Sequence, residues 1–503
     1  MAESGREDVV LVFDCGATNL KAVAVDANGR IVAQASRPNS PKPQKDGKPG
    51  WLIWDLEEIW HKLCAGAKEV MEQVGPERVR AVTTVTWGAD GAPVRKDGSL
   101  TYPPISWQCP RTEETAEKFS AVMSPLEIFQ ITGYQFTPFN TIFRLIWLKE
   151  NVPEALEDAY TWLMMPGLVA YKLTGSFHID PTSASTTMAM DLQKRDWSAS
   201  MLELAGLDSS FFPEWFEPGE TVGYVTEKAA EMCNVPQGVP VVAGGHDTQF
   251  ALFGSGAELD EAVLSSGTWE VLGVRTDRFN PSPTAFEDGM IFEADVRPGL
   301  WNPQLLMMGS GVLEWVLDKF LPEAGSRRYE VMVKEANGVP PGSKGVTFIP
   351  SFIKETGPTK KFGIMGSILG LTLRTSRGQI FRATLEGLSF QLRHALEILM
   401  RETGMDVKGI RVVGGGSKNF LWNQIRAEVT DLPVTVTEQK EYAALGAALV
   451  AFIGLGRYTS LKDAQENIVS EEKTFEPSAD QKIHENFYQR YSKALESLKL
   501  FYS

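Results

Sequence analysis

An α/β protein in two related halves is what the sequence predicts, on three observations. The chain has 503 residues, too many for one hydrophobic core. Short β-rich runs alternate with helical patterns along its length. One layout occurs twice: a strand, a turn holding Gly and Thr, and a second strand. It is seen in "VFDCGATNLKAVAVD" (12–26) and again, about 250 residues later, in "AVLSSGTWEVLGVR" (262–275).

In chain order, residues 9–14 and 21–26 read as strands flanking a Gly-Ala-Thr turn. The Pro/Gly/Lys-rich stretch 37–51 reads as a loop. Leu56, Ile59, Leu63, Ala67 and Val70 fall at helical spacing across 55–74. Residues 79–87 form a buried strand followed by a "GADG" turn, and 111–175 read as mostly helical. "GVPVVAGGHDTQFALFGSG" (238–256) is strand, Gly-rich turn and helix start. In the second half, 378–402 predicts a long amphipathic helix and 409–430 a strand, glycine turn and helix. An Ala/Gly-rich helix suited to close packing follows at 441–456, and the last ~50 residues read as amphipathic helix and charged linker.

Composition removes several function classes. Hydrophobic residues make up 43% and charged residues 22%, as in an ordinary soluble domain. A net charge of −15 opposes general nucleic-acid binding, which needs a basic surface. Four Cys at 15, 64, 109 and 233 make no C-x-x-C pair, so neither a disulfide framework nor a zinc site is expected. The N-terminus lacks a basic region followed by an apolar run, and no apolar stretch reaches the ~20 residues that cross a bilayer. A cytoplasmic protein with no membrane partner is expected.

Five segments could carry chemistry. In "DCGATNLK", Gly16 permits a tight turn whose N–H groups can cradle an anion, with Thr18 and Asn19 adding side-chain donors. Asp14 would repel a phosphate unless a divalent cation stood between them, which points to Mg²⁺. A plain hairpin with a polar turn is the alternative. In "GGHDTQF", Asp247 is either a helix N-cap or a general base, with His246 beside it. Gly267 and Thr268 in "SSGTWE" make a second clamp or a second hairpin turn. "VVGGGSKNFLWNQ" runs from strand through three glycines into a helix. It lacks the spacing of a dinucleotide fingerprint or a P-loop, which leaves an anion-binding or a merely tight turn. Trp87, Asp90, Trp107 and Arg111 are of types that bind sugars, or they belong to the core.

In this order the segments resemble the FGGY carbohydrate kinases of the actin/hexokinase/Hsp70 fold, from about residue 9 to about 455. "FNTIFRLIWLKEN" (139–151) looks like the first family signature, with Arg144 where Lys is usual, and "GSILGLTLRTSRGQIFRATLEG" (366–387) looks like the second. The resemblance implies an α/β fold of two actin-like (ribonuclease H-like) domains, 1–253 for sugar and 254–503 for nucleotide, with a deep interdomain cleft. It implies ATP and Mg²⁺ as cofactors and a small ketose as acceptor. Asp247 would be the base, Asp14 the metal contact, and Gly16, Thr18, Asn19, Gly267 and Thr268 the phosphate clamps. Gly415, Gly416, Asn419, Ser310 and Glu314 would meet the nucleotide; Asp90, Trp107, Asn140, Thr248 and Asp247 the sugar. "HDTQ", "SSGTWE" and "GGGSKNFLWNQ" are closest to members acting on 6-deoxyketohexoses. The expected acceptor is therefore the C1 hydroxyl of L-fuculose, with L-rhamnulose or a pentulose (D-ribulose, D-xylulose) as alternatives. A non-catalytic ATP-binding clamp of the actin/Hsp70 kind is the other alternative, and a homodimer is compatible with the resemblance.

Overall fold

Strand β1 (Val9–Cys15) is buried at every residue, the mark of a central strand covered on both faces. It pairs antiparallel with β2 (Asn19–Asp26), which pairs antiparallel with β3 (Ile31–Pro38). On its other side it lies parallel to β4 (Val79–Thr86). With β5 (Thr221–Tyr224) and β6 (Pro240–His246) the sheet order is β5-β6-β4-β1-β2-β3. This is a computed structural model; it describes residues 8–502 apart from 120, 355, 438, 469–470 and 479–480. The segment 1–7, part of the stretch read for a signal peptide, lies outside the described residues.

A second sheet is made by β7 (Glu261–Ser266), β8 (Trp269–Gly273), β9 (Ile291–Ala294), β10 (Trp301–Met308), β11 (Gly409–Val413), β12 (Val434–Thr437) and β13 (Glu472–Phe475). Its order is β9-β10-β8-β7-β11-β12-β13. Here β7, β8 and β10 form the antiparallel run, β7, β11 and β12 are parallel, and β13 closes antiparallel. Apart from the additional edge strand β9, this repeats β1-β2-β3, β1-β4-β6 and β5 of the first sheet. The two Gly-Thr hairpins seen in the sequence occupy the same place in two copies of one topology, the two-domain actin-like fold.

Contacts divide the chain into two units. The first is Met1–Gly256 with Glu293–Trp301 and Glu441–Val469; the second is Ala257–Phe292, Asn302–Lys440 and Ser470–Ser503. The division is not one cut along the sequence, because helix Tyr442–Gly454 packs backbone to backbone on helix Asp247–Gly254. A Cβ on Gly446 would stand 2.0 Å from the Phe250 carbonyl oxygen, and one on Gly254 would stand 2.1 Å from that of Tyr442. Gly446→Ala is therefore expected to lose about 1–3 kcal/mol of stability by overpacking. At an uncrowded helical site the same change would gain ~1 kcal/mol, so the sign of the shift in a urea titration tests the close approach.

Local signals account for the helices. Helix Leu56–Val74 starts where the Asp55 side chain accepts from the Glu58 N–H and stops at Gly75, φ 91°. Helix Arg377–Thr403 opens on a Ser376/Gln379 capping box and ends at Gly404 in the left-handed region. One expectation changes: the 37–51 stretch, read as a loop, contains the end of β3, and its Lys42–Pro43 pairs in a short ladder with Leu52–Ile53. β3 is a sheet edge, where the missing N–H of Pro38 is tolerated. The 111–175 region is mostly helical, as expected, with one short strand, Thr161–Met164. Among the described residues no helix is long and apolar enough to cross a membrane.

Candidate active site

Strands β1, β4 and β6 end level: Cys15 and His246 both register with Thr86. Residues at or just after these ends gather along one carboxyl edge, the edge at which open α/β sheets carry ligands. Asp14 comes from β1, Trp87 and Gly88 follow β4, and Asp247 follows β6. The Gly-Gly before His246 has a steric cause. A Cβ on Gly244 would lie 1.9 Å from the Thr84 carbonyl oxygen, and one on Gly245 would lie 2.1 Å from Thr182 Oγ1. Gly88 likewise leaves room for His246, whose Nε2 would be 3.1 Å from an added Cβ.

Asp247 is the first residue inside its helix; the N-cap position is His246, whose side chain makes no cap bond. Helix capping therefore does not account for its carboxylate. Oδ1 accepts from the Thr248 hydroxyl at 3.3 Å and lies 3.5 Å from His246 Nε2. Burial first, then the Asp14 carboxylate, push Asp247 up to about 7, while 28% of its side-chain surface stays open to solvent. Burial also raises Asp14, to about 6; Lys21, 3.7 Å away, opposes this, and Glu441 adds to it. Lys21 also pairs with Glu441. One carboxylate is thus poised to take a proton near neutrality, and another is short of positive charge.

Asp14 suits Mg²⁺ for that second reason. No cluster of three or more His, Cys, Asp or Glu able to hold a metal occurs among the described residues. A Mg²⁺ that keeps phosphate oxygens and waters as ligands needs only one or two carboxylates. Above it, the β1–β2 turn is closed by Gly16 N–H donating to the Asn19 carbonyl at 2.8 Å, and Thr18 and Asn19 are exposed. Asn39 braces the turn, its side chain donating to the Gly16 carbonyl at 3.1 Å.

The residues of sugar-binding type divide into open and sealed. Trp107 is 39% exposed, its ring edge-on to Phe139. Asn140 is buried, donates to the Thr186 carbonyl at 2.7 Å, and keeps Oδ1 without a hydrogen bond among the described residues. Asp90 is 0% exposed. Its Oδ2 accepts from the Trp54 indole at 2.5 Å, the Trp87 indole at 2.8 Å and the Trp107 N–H at 3.2 Å, and Oδ1 pairs with Arg144 at 2.7 Å. Asp90 therefore organises the tryptophans from inside and has no face open to a ligand. That pairing also gives Arg144 its role. Trp87 is buried against Trp54, and Arg111 is buried over the rings of Trp51 and Trp147.

In the second unit the β7–β8 turn is held by Gly267 N–H to the Trp269 carbonyl at 2.9 Å, with Thr268 exposed. The turn's own carbonyls receive Ser310 N–H at 2.8 Å and Gly311 N–H at 3.1 Å, from the start of helix Ser310–Phe320. Ser310, Gly415, Gly416 and Asn419 line one pocket of about 1050 Å³, together with Leu313 and Tyr329. Glu314 does not line it; it accepts from the Tyr329 hydroxyl at 2.6 Å and pairs with Arg328. Behind the turns lies a buried pair, Glu270 and Arg426, with Ser266 Oγ donating to Glu270 at 2.7 Å and accepting from Arg426 at 2.9 Å.

Several site residues carry no signal in the sequence. Glu293 on β9 faces His246 and accepts from Tyr134 and Gln249, across sequence gaps that no spacing reveals. Thr182 and Thr186 lie in "DPTSASTT", where they accept from His246 N–H at 2.9 Å and Ala89 N–H at 2.7 Å. Together they tie the start of the Asp247 helix to the Asp90 segment. The run of small hydroxyl residues was the only available hint.

Comparison with known proteins agrees with this geometry. The FGGY family of carbohydrate kinases matches through its N-terminal domain over residues 9–254 and its C-terminal domain over 262–455. L-fuculokinase of Escherichia coli (strain K12) is 38% identical over 475 residues, covering 94% of this chain and 98% of that protein. Autoinducer-2 kinase of the same strain is 28% identical over 503 residues, 94% of this chain and 91% of that one. Among solved structures, xylulose kinase from Rhodospirillum rubrum superposes with a TM-score of 0.89 at 23% identity, over 99% of this chain and 100% of that one. The chain belongs to the FGGY family of carbohydrate kinases and is an ATP- and Mg²⁺-dependent sugar kinase.

Proposed function

We propose that the acceptor is the C1 hydroxyl of L-fuculose, giving L-fuculose 1-phosphate and ADP, with Asp247 as general base. The observation that carries the reading is Asp247 itself: partly open to solvent, free of a capping duty, and raised to about 7. It takes the hydroxyl proton as the sugar oxygen bonds to the γ-phosphorus and the bond to the ADP oxygen breaks. Asp14 is the protein group that would hold Mg²⁺, which when bound would supply charge neutralisation for the phosphates. Gly16, Thr18 and Asn19 from one hairpin, and Gly267 and Thr268 from the other, position the phosphates, on which such transfer chiefly depends. Ser310, Gly415, Gly416 and Asn419 take the nucleoside. Trp107, Asn140 and Thr248 meet the sugar, while Asp90 and Glu314 act through the residues they hold.

The choice of L-fuculose draws support from the 38% identity to an L-fuculokinase, against 28% to the autoinducer-2 kinase. A coupled ADP assay with L-fuculose, L-rhamnulose, D-xylulose, D-ribulose and autoinducer-2 tests it. L-Fuculose is expected to lead in kcat/KM by at least about tenfold, the low end of the discrimination that one misfitted group in a pocket produces. A tenfold lead for another acceptor overturns the substrate and leaves the kinase class standing.

A further inference from the structure

Glu293 belongs by sequence to the second half of the chain, yet the segment Glu293–Trp301 packs in the first unit. There it is 1% exposed and surrounded by donors. The Tyr134 hydroxyl donates to Oε1 and the Gln249 amide to Oε2. His246 Nδ1 lies 3.3 Å from Oε2, close enough to donate to it, and makes no hydrogen bond elsewhere among the described residues. The opposite ring nitrogen, Nε2, lies 3.5 Å from Asp247 Oδ1. The imidazole therefore stands between a buried carboxylate and the catalytic carboxylate.

We infer that Glu293 is a positioning residue for phosphoryl transfer: by accepting from Nδ1–H it fixes the His246 tautomer, so that Nε2 turns a lone pair, not a proton, toward Asp247. The inference rests on the reading of Asp247 as base. A histidine facing an acceptor is held with its proton on that side, and its other nitrogen becomes the acceptor. In the opposite tautomer Nε2–H would bond to Asp247. That bond would stabilise the carboxylate, weaken it as a base and turn it from the substrate hydroxyl. In the fixed tautomer, once Asp247 has taken the hydroxyl proton, Nε2 is placed to accept from it. Burial keeps the imidazole neutral, down to about 4, so one proton is shared between two nitrogens and its placement matters. Gln249 and Tyr134 hold the Glu293 carboxylate, and Gly88 leaves space for the ring.

The test reads the tautomer directly. The full-length enzyme is labelled with ¹⁵N-histidine; of its five histidines, His246 is assigned by the signal lost in His246→Gln. Wild-type His246 is expected as Nδ1–H, and Glu293→Leu, which removes the acceptor, is expected to move the proton to Nε2. Glu293→Gln keeps an amide oxygen for Nδ1–H and is expected to retain both tautomer and turnover. In Glu293→Leu, kcat should fall roughly 10- to 100-fold, with sugar KM little changed, as for a displaced catalytic group. In a His246→Gln background the same substitution should cost no more than about twofold further, because the effect passes through the imidazole. A wild-type Nε2–H signal overturns the inference without any variant, which matters if Glu293→Leu folds poorly. An undiminished penalty in the His246→Gln background also overturns it. An Asp247→Asn enzyme that still turned over would instead remove the base, leaving the tautomer result intact.

Discussion

Asp247→Asn is expected to lower sugar-dependent ADP release by about 10²–10⁴-fold, the usual contribution of a positioned base. ATP binding should change little, since the pocket proposed above for the nucleoside is lined by residues of the second unit. The same variant should be more stable than wild type at pH 8. In the native state Asp247 is raised to about 7 by burial and by Asp14, against a reference of 3.8. Between those values the native state binds more protons than the unfolded chain, so this group's contribution falls as pH rises from about 4 to about 7 and then stays unfavourable. Asparagine removes the buried charge, and a Tm rise of about 2–4 °C per kcal/mol recovered is expected at pH 8, vanishing near pH 4. An inactive but more stable variant separates lost chemistry from lost folding. In wild type kcat/KM should fall on the acid side with a midpoint near pH 7, as solvent protons occupy the base. Sugar-dependent turnover surviving at more than about a tenth of wild type in Asp247→Asn would end the base assignment.

How much of this was legible in the sequence depended on distance along the chain. The hairpins at Gly16–Thr18 and Gly267–Thr268 were legible because strand, turn and strand are neighbours, and their repetition marked two copies of one topology. "GGHD" showed a tight turn before Asp247, but not why two glycines are needed, since the crowding atoms belong to Thr84 and Thr182. Asp90 was legible as a residue type. Its direction was not, because Arg144 and Trp54 turn it inward from remote positions. Glu293 had no signature: "IFEADV" reads as a plain strand, and only folding brings it to His246. Gly414–Gly416 looked like an anion turn, but part of its glycine requirement is structural, since a Cβ on Gly416 would lie 2.0 Å from Ser266 Oγ.

That contact leads to the second large effect. Glu270 and Arg426 are both 0% exposed, and with Ser266 they join the β7–β8 hairpin to helix Phe420–Thr430, which follows the glycine turn. Arg426 also donates to Asn423 Oδ1 at 2.8 Å, and Asn423 donates to the Ser417 carbonyl at 2.7 Å, so the network extends into the glycine turn. Arg426→Met leaves Glu270 buried without its cation, and a loss of about 3–5 kcal/mol is expected in urea unfolding. The pair is not perfectly satisfied: Glu270 Oε2 and Arg426 Nε have no hydrogen bond among the described residues. The double variant Glu270→Leu/Arg426→Met should therefore be less damaged than Arg426→Met alone, because no lone charge is buried. Burial already pushes Glu270 up against the pull of Arg426. With Arg426 gone its folded value rises further above the unfolded one, so the penalty should be largest at pH 8 and shrink toward pH 5 as the carboxyl protonates. The hairpin it anchors bears Gly267 and Thr268, so a rise in ATP KM larger than any change in sugar KM should accompany the lost stability in the double variant. Equal stabilities for the single and double variants, or a penalty independent of pH, would show that packing, not the buried charge pair, sets the cost.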